Sequence, residues 1–578
     1  MAESRGAAWG AALALIGVTL GAQLMRLAEP DMAFMLYAAG RMLNGAKLYR
    51  DVVDVNPPMI FAFNVPIAWL ARVVGISDIL LGRFATAFLV GSMLLLVRRL
   101  LKRYLLPTRA TARRYVLLVL CFILFPLSRE DFGQREHLVL GLLLPGFVIA
   151  VARSRGEQIG TVDAIASGVL SAIGLAVKPQ FTLAMLGVEV WRRLRGRAGR
   201  WLFTPELAAL LVTLAAYGLA LVILTPDFLR LGAQLGPAYT TYLRIPLLNL
   251  VLFSPGAALT AFALLAAVAL WKQPDGGVRG AVAVATIGCF LAGVTQQKGL
   301  RYHFYPSFAL ATLLLSLVAA QSEGLLGLGE RLYVRVSKWL LAAIAVVIVA
   351  STILGAIGGR ADKRRRAEFQ DLVETVRAHA HGEPIGMLSY YMGSAFPLVN
   401  YAGVALASRY PCLWILPASY WTALWEKPPL RYHAPAEMQP PERMLNDAVA
   451  GDLLQGRPRL ILILRPLPDV PRYGLRRLNY MAYFDRRPDL ANLFAQYQLI
   501  ATKGQYDVYE HLDSGAARSG SPPSSIVVPP EAPRRGQTPL AQPSPVDAEF
   551  AGGAAAFVAI AAASLLLQRR PRAPSTPA

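Results

Sequence analysis

The chain has 578 residues, 55% of them hydrophobic and only 16% charged, with a mean hydropathy of +0.44. A soluble protein carries about 25% charged residues, so most of this length must be solvated by lipid. The 58 Lys and Arg against 36 Asp and Glu leave a formal charge of +22. No zinc-finger or RNA-binding signature accompanies that excess. It sits largely in short loops between apolar runs, which points to membrane orientation and anionic headgroups and excludes a nucleic-acid partner.

A helix needs about 20 apolar residues to cross a bilayer. Runs of that order fall near 8–28, 79–97, 115–127, 138–152, 162–178, 180–191, 206–224, 248–271, 280–296, 305–321, 338–358 and 550–567, which predicts about twelve spans. The first run lacks a small-residue cleavage site and reads as an uncleaved helix, not a signal peptide. The segment 56–75 is apolar but interrupted by Pro57, Pro58 and Pro66, and reads as an interfacial helix. At Lys178-Pro179-Gln180 the sequence allows either a break between two helices or one kinked helix, and proline favours the break.

Arginine clusters occupy every second gap, at 98–114, 153–155, 191–197, 331–338 and 569–572. Lys and Arg resist translocation, so these gaps belong in the cytoplasm together with both termini. The loops near 29–78, 128–137, 178–180, 225–247 and 296–304, and residues 360–545, then lie outside the plasma (inner) membrane. Residues 1–358 form the multi-spanning domain.

Residues 360–512 change character. The stretch KRRRAEFQDLVETVRAHA places Phe369, Leu372, Val373 and Val376 at helical spacing. A strand in PIGMLSYY, a helix near 440–455 stopping at Gly456, a strand LILIL (460–464) and a hairpin turning at Lys503-Gly504 complete a small α/β domain. Residues 513–546 are rich in Pro, Ser and Ala and read as a disordered tether to an anchor helix at 550–567. Cys121, Cys289 and Cys412 build no disulfide framework, and His379, His381 and His433 read as surface residues.

Three groups of residues could carry chemistry. Asp31 follows the first span, where a carboxylate against an apolar wall gains proton affinity and can act as a base. The plainer reading is that it caps a helix starting at Met32. SREDFGQREH (128–137) crowds Glu130, Asp131 and His137 between two apolar runs, with Arg129 and Glu136 read as solvated loop charge. QQKGLRYHFYP (296–306) interleaves Lys298, Arg301, Tyr302 and His303 at a membrane exit. This is either an aromatic belt with snorkelling cations or a cradle for phosphate, and Lys178 could join it.

The segment DMAFMLYAAGRMLNGAKLYRDVVDVNPP, opening at Asp31, resembles the first loop of the GT-C superfamily of membrane glycosyltransferases. It is most similar to the branch of protein mannosyltransferases and lipid A aminoarabinose transferases. There an acidic residue ends the first span, a small-residue helix follows, and the loop closes on a Lys-Pro-Pro or similar motif. The matching positions are Asp31, Tyr37, Gly45, Tyr49 and Asn56-Pro57-Pro58; Asn56 stands where that branch has lysine or histidine, so Lys47 or Arg50 would take its phosphate contact.

The resemblance implies an α-helical polytopic GT-C-like protein that takes a sugar from a polyprenyl-phosphate carrier. The acceptor would be a hydroxyl of an envelope glycan, lipid or protein. Asp31 would be the general base, with Lys47, Arg50, Lys178, Lys298, Arg301, Tyr302 and His303 around the donor phosphate. Glu130, Asp131 and His137 would meet that phosphate or a divalent metal. No nucleotide-binding glycine loop is present, which suits a lipid-linked donor. The rival readings are a transporter or flippase of a lipid-linked envelope precursor, which would place its charges at mid-membrane within paired repeats, and a scaffold whose α/β domain is the active part. Topology tests the frame: a reporter active only outside the cytoplasm should give signal when fused at about residue 430 and none at about residue 195. The reverse pattern would invert every side assigned above.

Overall fold

The computed structural model describes residues 3–195, 204–273, 276–321, 326–357, 360–427, 429–469 and 471–512. The expected tether (513–546) and anchor (550–567) lie outside them. Helix α1 (Glu3–Met25) breaks by 75° into α2 (Pro30–Leu43), and α3 (Pro58–Val74) follows after a loop. Then come α4 (Asp78–Leu100), prolonged by a π-turn to Leu105, α5 (Ala110–Leu124), α6 (Arg135–Ser154), α7 (Thr161–Val177) and α8 (Thr182–Arg195). Next in order are α9 (Pro205–Leu224), α10 (Pro226–Thr241), α11 (Leu247–Phe253), α12 (Ala257–Ala269), α13 (Gly276–Thr295), α14 (Arg301–Ala319) and α15 (Leu328–Ile357).

Seven helices among the described residues are long and apolar enough to cross a membrane, or up to nine if each bent pair is one span. Of the other three expected spans, 550–567 lies outside the described residues, while α7 and α8, of 17 and 14 residues and separated by the 3-10 turn at Pro179, fall short of a full crossing. The bundle is graded from centre to rim. Within α6 and α14, 72% and 78% of the apolar stretch is buried by protein, against 6% in α9, so α6 and α14 form the core and α9 faces outward. Helix α6 packs on α4, α7 and α8, and α14 on α12, α13 and α15.

Helix α16 (Arg360–Ala380) leads into a four-stranded sheet of β1 (Ile385–Leu388), β2 (Leu460–Leu464), β3 (Tyr497–Lys503) and β4 (Tyr506–His511) in the order β1-β2-β4-β3. β1 and β2 are parallel, joined through the helix Pro440–Gly456, while β2–β4 and β4–β3 are antiparallel. Both residues of the β1 and β2 pleat are buried throughout, as expected of uninterrupted apolar strands covered on two faces. The β3–β4 turn needs Gly504 at φ +55°, a left-handed conformation that costs glycine little.

α2 joins this region to the bundle. Phe34 and Tyr37 each pack on Phe396 with ring centroids 5.2 Å apart, the Tyr37 hydroxyl accepts from Leu406 N–H at 2.9 Å, and Asn400 donates to Ala33 O and to Asp78 at 3.1 Å. Beyond α2 the loop turns at Gly45 (φ +88°) and returns to Pro57. Tyr49 ties the loop together, its hydroxyl donating to Asn56 O at 2.6 Å, and Val53 N–H donates to Arg409 O.

Asp54 is buried in this loop and accepts from Asn56 N–H at 2.7 Å. Burial pushes its carboxyl up from 3.8 to about 6, against the opposing pull of that N–H and of the Arg135 charge. A folded-state value above the unfolded one means that the folded protein binds the proton more tightly, so stability falls as pH rises from about 4 to about 6 and stays lower above. Asp54→Asn keeps an acceptor for Asn56 N–H and removes the buried charge. It should raise the melting temperature at about pH 8, by the equivalent of roughly 2–3 kcal/mol, and lose that advantage near pH 4. A pH-independent difference would mean that Asp54 is hydrated in the folded protein.

Candidate active site

The residue that caps α2 is Glu29. Its carboxylate accepts from Met32 N–H at 2.9 Å, with Pro30 opening the first turn. Asp31, one position inside the helix, is therefore released from capping. Its Oδ2 accepts from Arg135 Nη2 at 3.1 Å across the start of α6, and its side chain remains 21% exposed. Both residues line a small crevice with Met32, Asn64 and Gly133.

Next to Arg135, the sequence reading of Glu136 as solvated loop charge is corrected. Glu136 has no exposed surface, and Lys178 Nζ reaches it at 2.6 Å from the end of α7. Two charges at the head of an apolar helix look like loop residues in sequence, yet here the ends of α6, α7 and α14 meet over them. His303 Nε2, in the first turn of α14, is 3.8 Å from the same carboxylate, and Lys178 also stands 5.8 Å from the centre of the Tyr302 ring. Asp31, Lys178, Tyr302 and His303 are thus brought together, with Arg135 and Glu136 between them. Asp54 belongs to the same electrostatic cluster, since Asp31 and Arg135 both act on it.

Other expected members are placed differently. His137 is fully buried, with Gly133 N–H donating to Nδ1 at 3.1 Å and Nε2 donating to Leu124 O at 2.7 Å, so neither nitrogen can meet a phosphate or a metal. Glu130 and Asp131 both accept from Arg301 Nη2 at 3.0 Å, so residues expected to act separately neutralise one another. Among the described residues no group of three or more His, Cys, Asp or Glu could hold a metal ion. Lys298 is buried, donates to the carbonyls of Tyr239 and Tyr242 near the end of α10, and lies 4.4 Å from the Tyr239 ring centre.

Lys47 and Arg50 stand apart. Arg50 pairs with Asp227 at 2.5 Å in the first turn of α10, and Lys47 is exposed beside it. Arg50 is thus occupied by Asp227, and the Asn56 carbonyl by the Tyr49 hydroxyl.

Sequence reasoning missed Glu29, Arg135 and Asp54. The signal for Glu29 was the Glu-Pro pair three residues before the Met32 amide, a capping pattern hidden by the more conspicuous Asp31. Arg135 carried no separate signal, because a basic residue ahead of an apolar run looks alike whether solvated or paired. Asp54, two residues before Asn56-Pro57, had the spacing of an aspartate turn.

No protein-family model matches the sequence, and no curated protein matches it either. Solved structures do. ArnT from Cupriavidus metallidurans bound to undecaprenyl phosphate superposes with a TM-score of 0.52 at 13% identity, covering 89% of this chain and 99% of that one. The apo state of the same protein gives 0.51 at 13% identity, over 88% and 98%. The mycobacterial arabinofuranosyltransferase AftD aligns at 16% identity over 88% of this chain and 41% of its own, with a TM-score of 0.38 too low to argue from. The chain therefore shares its fold with ArnT, a helical bundle followed by a small four-stranded sheet.

Proposed function

We propose that this protein transfers a sugar from a polyprenyl-phosphate carrier to an acceptor hydroxyl, at the membrane face opposite the arginine-rich loops. The observation that carries the reading is that Glu29, not Asp31, caps α2, which leaves Asp31 as a carboxylate with no structural duty in the helix. The fold it shares with ArnT, seen with undecaprenyl phosphate bound in the Cupriavidus protein, supports the donor class.

In this reaction Arg135 holds Asp31 Oδ2, and Oδ1 accepts the proton of the acceptor hydroxyl. The hydroxyl oxygen forms its bond to the anomeric carbon as the carbon–oxygen bond to phosphate breaks, in a single displacement that inverts the centre. The bonding pair leaves with polyprenyl phosphate, whose charge grows from one negative to two. Lys178, Arg135 and Lys298 supply the positive field for that growth. Lys178 has N–H groups beyond the one used on Glu136, and Lys298 one beyond the two used on carbonyls. Preorganised donors of this kind cost nothing to reorganise when the leaving group charges. The acceptor would be an envelope glycan, lipid or protein, on the outer side of the inner membrane.

Asp31→Asn separates base from cap. General-base catalysis contributes about 10²–10⁴-fold, so sugar transfer, followed by mass spectrometry of envelope glycans in a deletion strain carrying the variant, should fall on that scale. Asparagine keeps an oxygen acceptor for Arg135 and the cap is elsewhere, so the melting temperature should fall only modestly, through the weakened ion pair; Glu29→Ala should lower it through the lost cap, by the equivalent of about 1 kcal/mol. Near wild-type transfer by a normally melting Asp31→Asn protein would move the base to another carboxylate.

A further inference from the structure

Between the end of α10 and residues 418–433 lies a cavity of about 680 Å³ that the transfer chemistry above does not use. Its volume falls within the roughly 300–1,000 Å³ of small-molecule sites. The lining has an aromatic floor, Tyr420 and Trp421, and a rim of two guanidinium groups and an imidazole, Arg244, Arg431 and His433. Trp421 is braced edge-on by Tyr242 and Trp425, with ring centroids 5.8 Å and 5.7 Å away. His433 stacks on Tyr420 at 4.5 Å and is held from behind by Glu442, fully buried, at 2.7 Å from Nδ1. The same carboxylate accepts from the hydroxyls of Tyr420 and Tyr483 at 2.7 Å and 3.1 Å. The sequence reading of His433 as a plain surface residue is thereby corrected: its ring is fixed, and Nε2 is the atom left for a ligand.

At the rim, Arg244 donates Nε to Gln297 Oε1 at 2.9 Å, a neutral acceptor that leaves the guanidinium charge in place. Arg431 is steadied by Glu437 at 2.5 Å. Rigid aromatic faces suit the apolar faces of sugar rings, while forked guanidinium donors match carboxylate or phosphate oxygens. The cavity and the charge cluster both border the end of α10. Tyr239 of α10 feels Arg135, Asp54, Glu136 and Asp31, and Thr241, two residues on, lines the cavity.

We propose that this cavity binds the acceptor, and that the acceptor is a saccharide bearing anionic groups. The proposal rests on the glycosyl-transfer reading and adds the substrate class. Calorimetric titration of the full-length protein in detergent micelles, with an oligogalacturonide and with a neutral galactan oligomer of equal length, tests it without turnover. The acidic oligomer should bind at least about tenfold tighter, with affinity falling as salt rises. Arg244→Gln and Trp421→Ala should each weaken it about tenfold. Should Trp421→Ala melt early, Arg244→Gln, at an exposed residue, carries the test. Equal affinity for the two oligomers, binding of neither, or undiminished binding by Arg244→Gln overturns the site. If Asp31→Asn abolishes transfer while no oligomer binds, the site fails and the transferase reading stands; if oligomers bind as expected while Asp31→Asn transfers normally, the site stands and the base is wrong.

Discussion

Glu136 sits in the first turn of α6 with no exposed surface, and a carboxylate so placed must be met by a cation or lose its charge. Removing an ion from water costs several kcal/mol even after relaxation, and breaking a buried pair typically costs about 3–5 kcal/mol. Lys178 meets it at 2.6 Å from the end of α7, where the chain breaks at Pro179 beside the start of α6. The ion pair thus fixes where three helix ends meet. The positions of Arg135, Tyr302 and His303 follow, and through Arg135 so does that of Asp31.

The same constraint reaches into the α/β region. Asp31 stands at one end of α2, and Tyr37, less than two turns on, is fixed by Phe396 and Leu406. α2 is nearly all buried, with Ala33, Phe34, Leu36, Ala38 and Ala39 fully enclosed. A rigid, buried helix clamped at both ends transmits position well, since packed interiors deform little. A role for the α/β region follows from this geometry: it holds the helix that presents the carboxylate, and it supplies one wall of the cavity beside α10.

Much of this architecture was legible in the sequence wherever local rules decide structure. The LILIL strand, the hairpin at Lys503-Gly504 and the break at Pro179 all depend on propensities and dihedral limits carried by a few adjacent residues, whereas the helix expected to stop at Gly456 keeps that residue and ends on Arg457 in the left-handed conformation. Charged residues were less legible. Glu130 and Glu136 differ by six positions in one loop, yet Glu130 is exposed and Glu136 entirely enclosed. Nothing local separates them; the difference is made by α7 and α14, which arrive from far along the chain. His137 shows the same limit, since its ring is spent on Gly133 and Leu124, contacts set by the turn ahead of α6.

Asp31 alone does not make the site selective, because a carboxylate will take a proton from any hydroxyl that reaches it. Selectivity must come from what holds the hydroxyl there, and binding groups remote from the reacting atoms do that by fixing orientation. The end of α10 is placed to link the two. Its backbone carbonyls at Tyr239 and Tyr242 hold Lys298, proposed above to face the leaving phosphate, while Thr241 and Arg244 border the cavity. Tyr242 also packs on Trp414 and Trp421 of the α/β region, at 5.6 Å and 5.8 Å. A shift of this one turn would therefore move the phosphate-side lysine and the cavity wall together, so that filling the cavity and aligning the leaving group become parts of a single event.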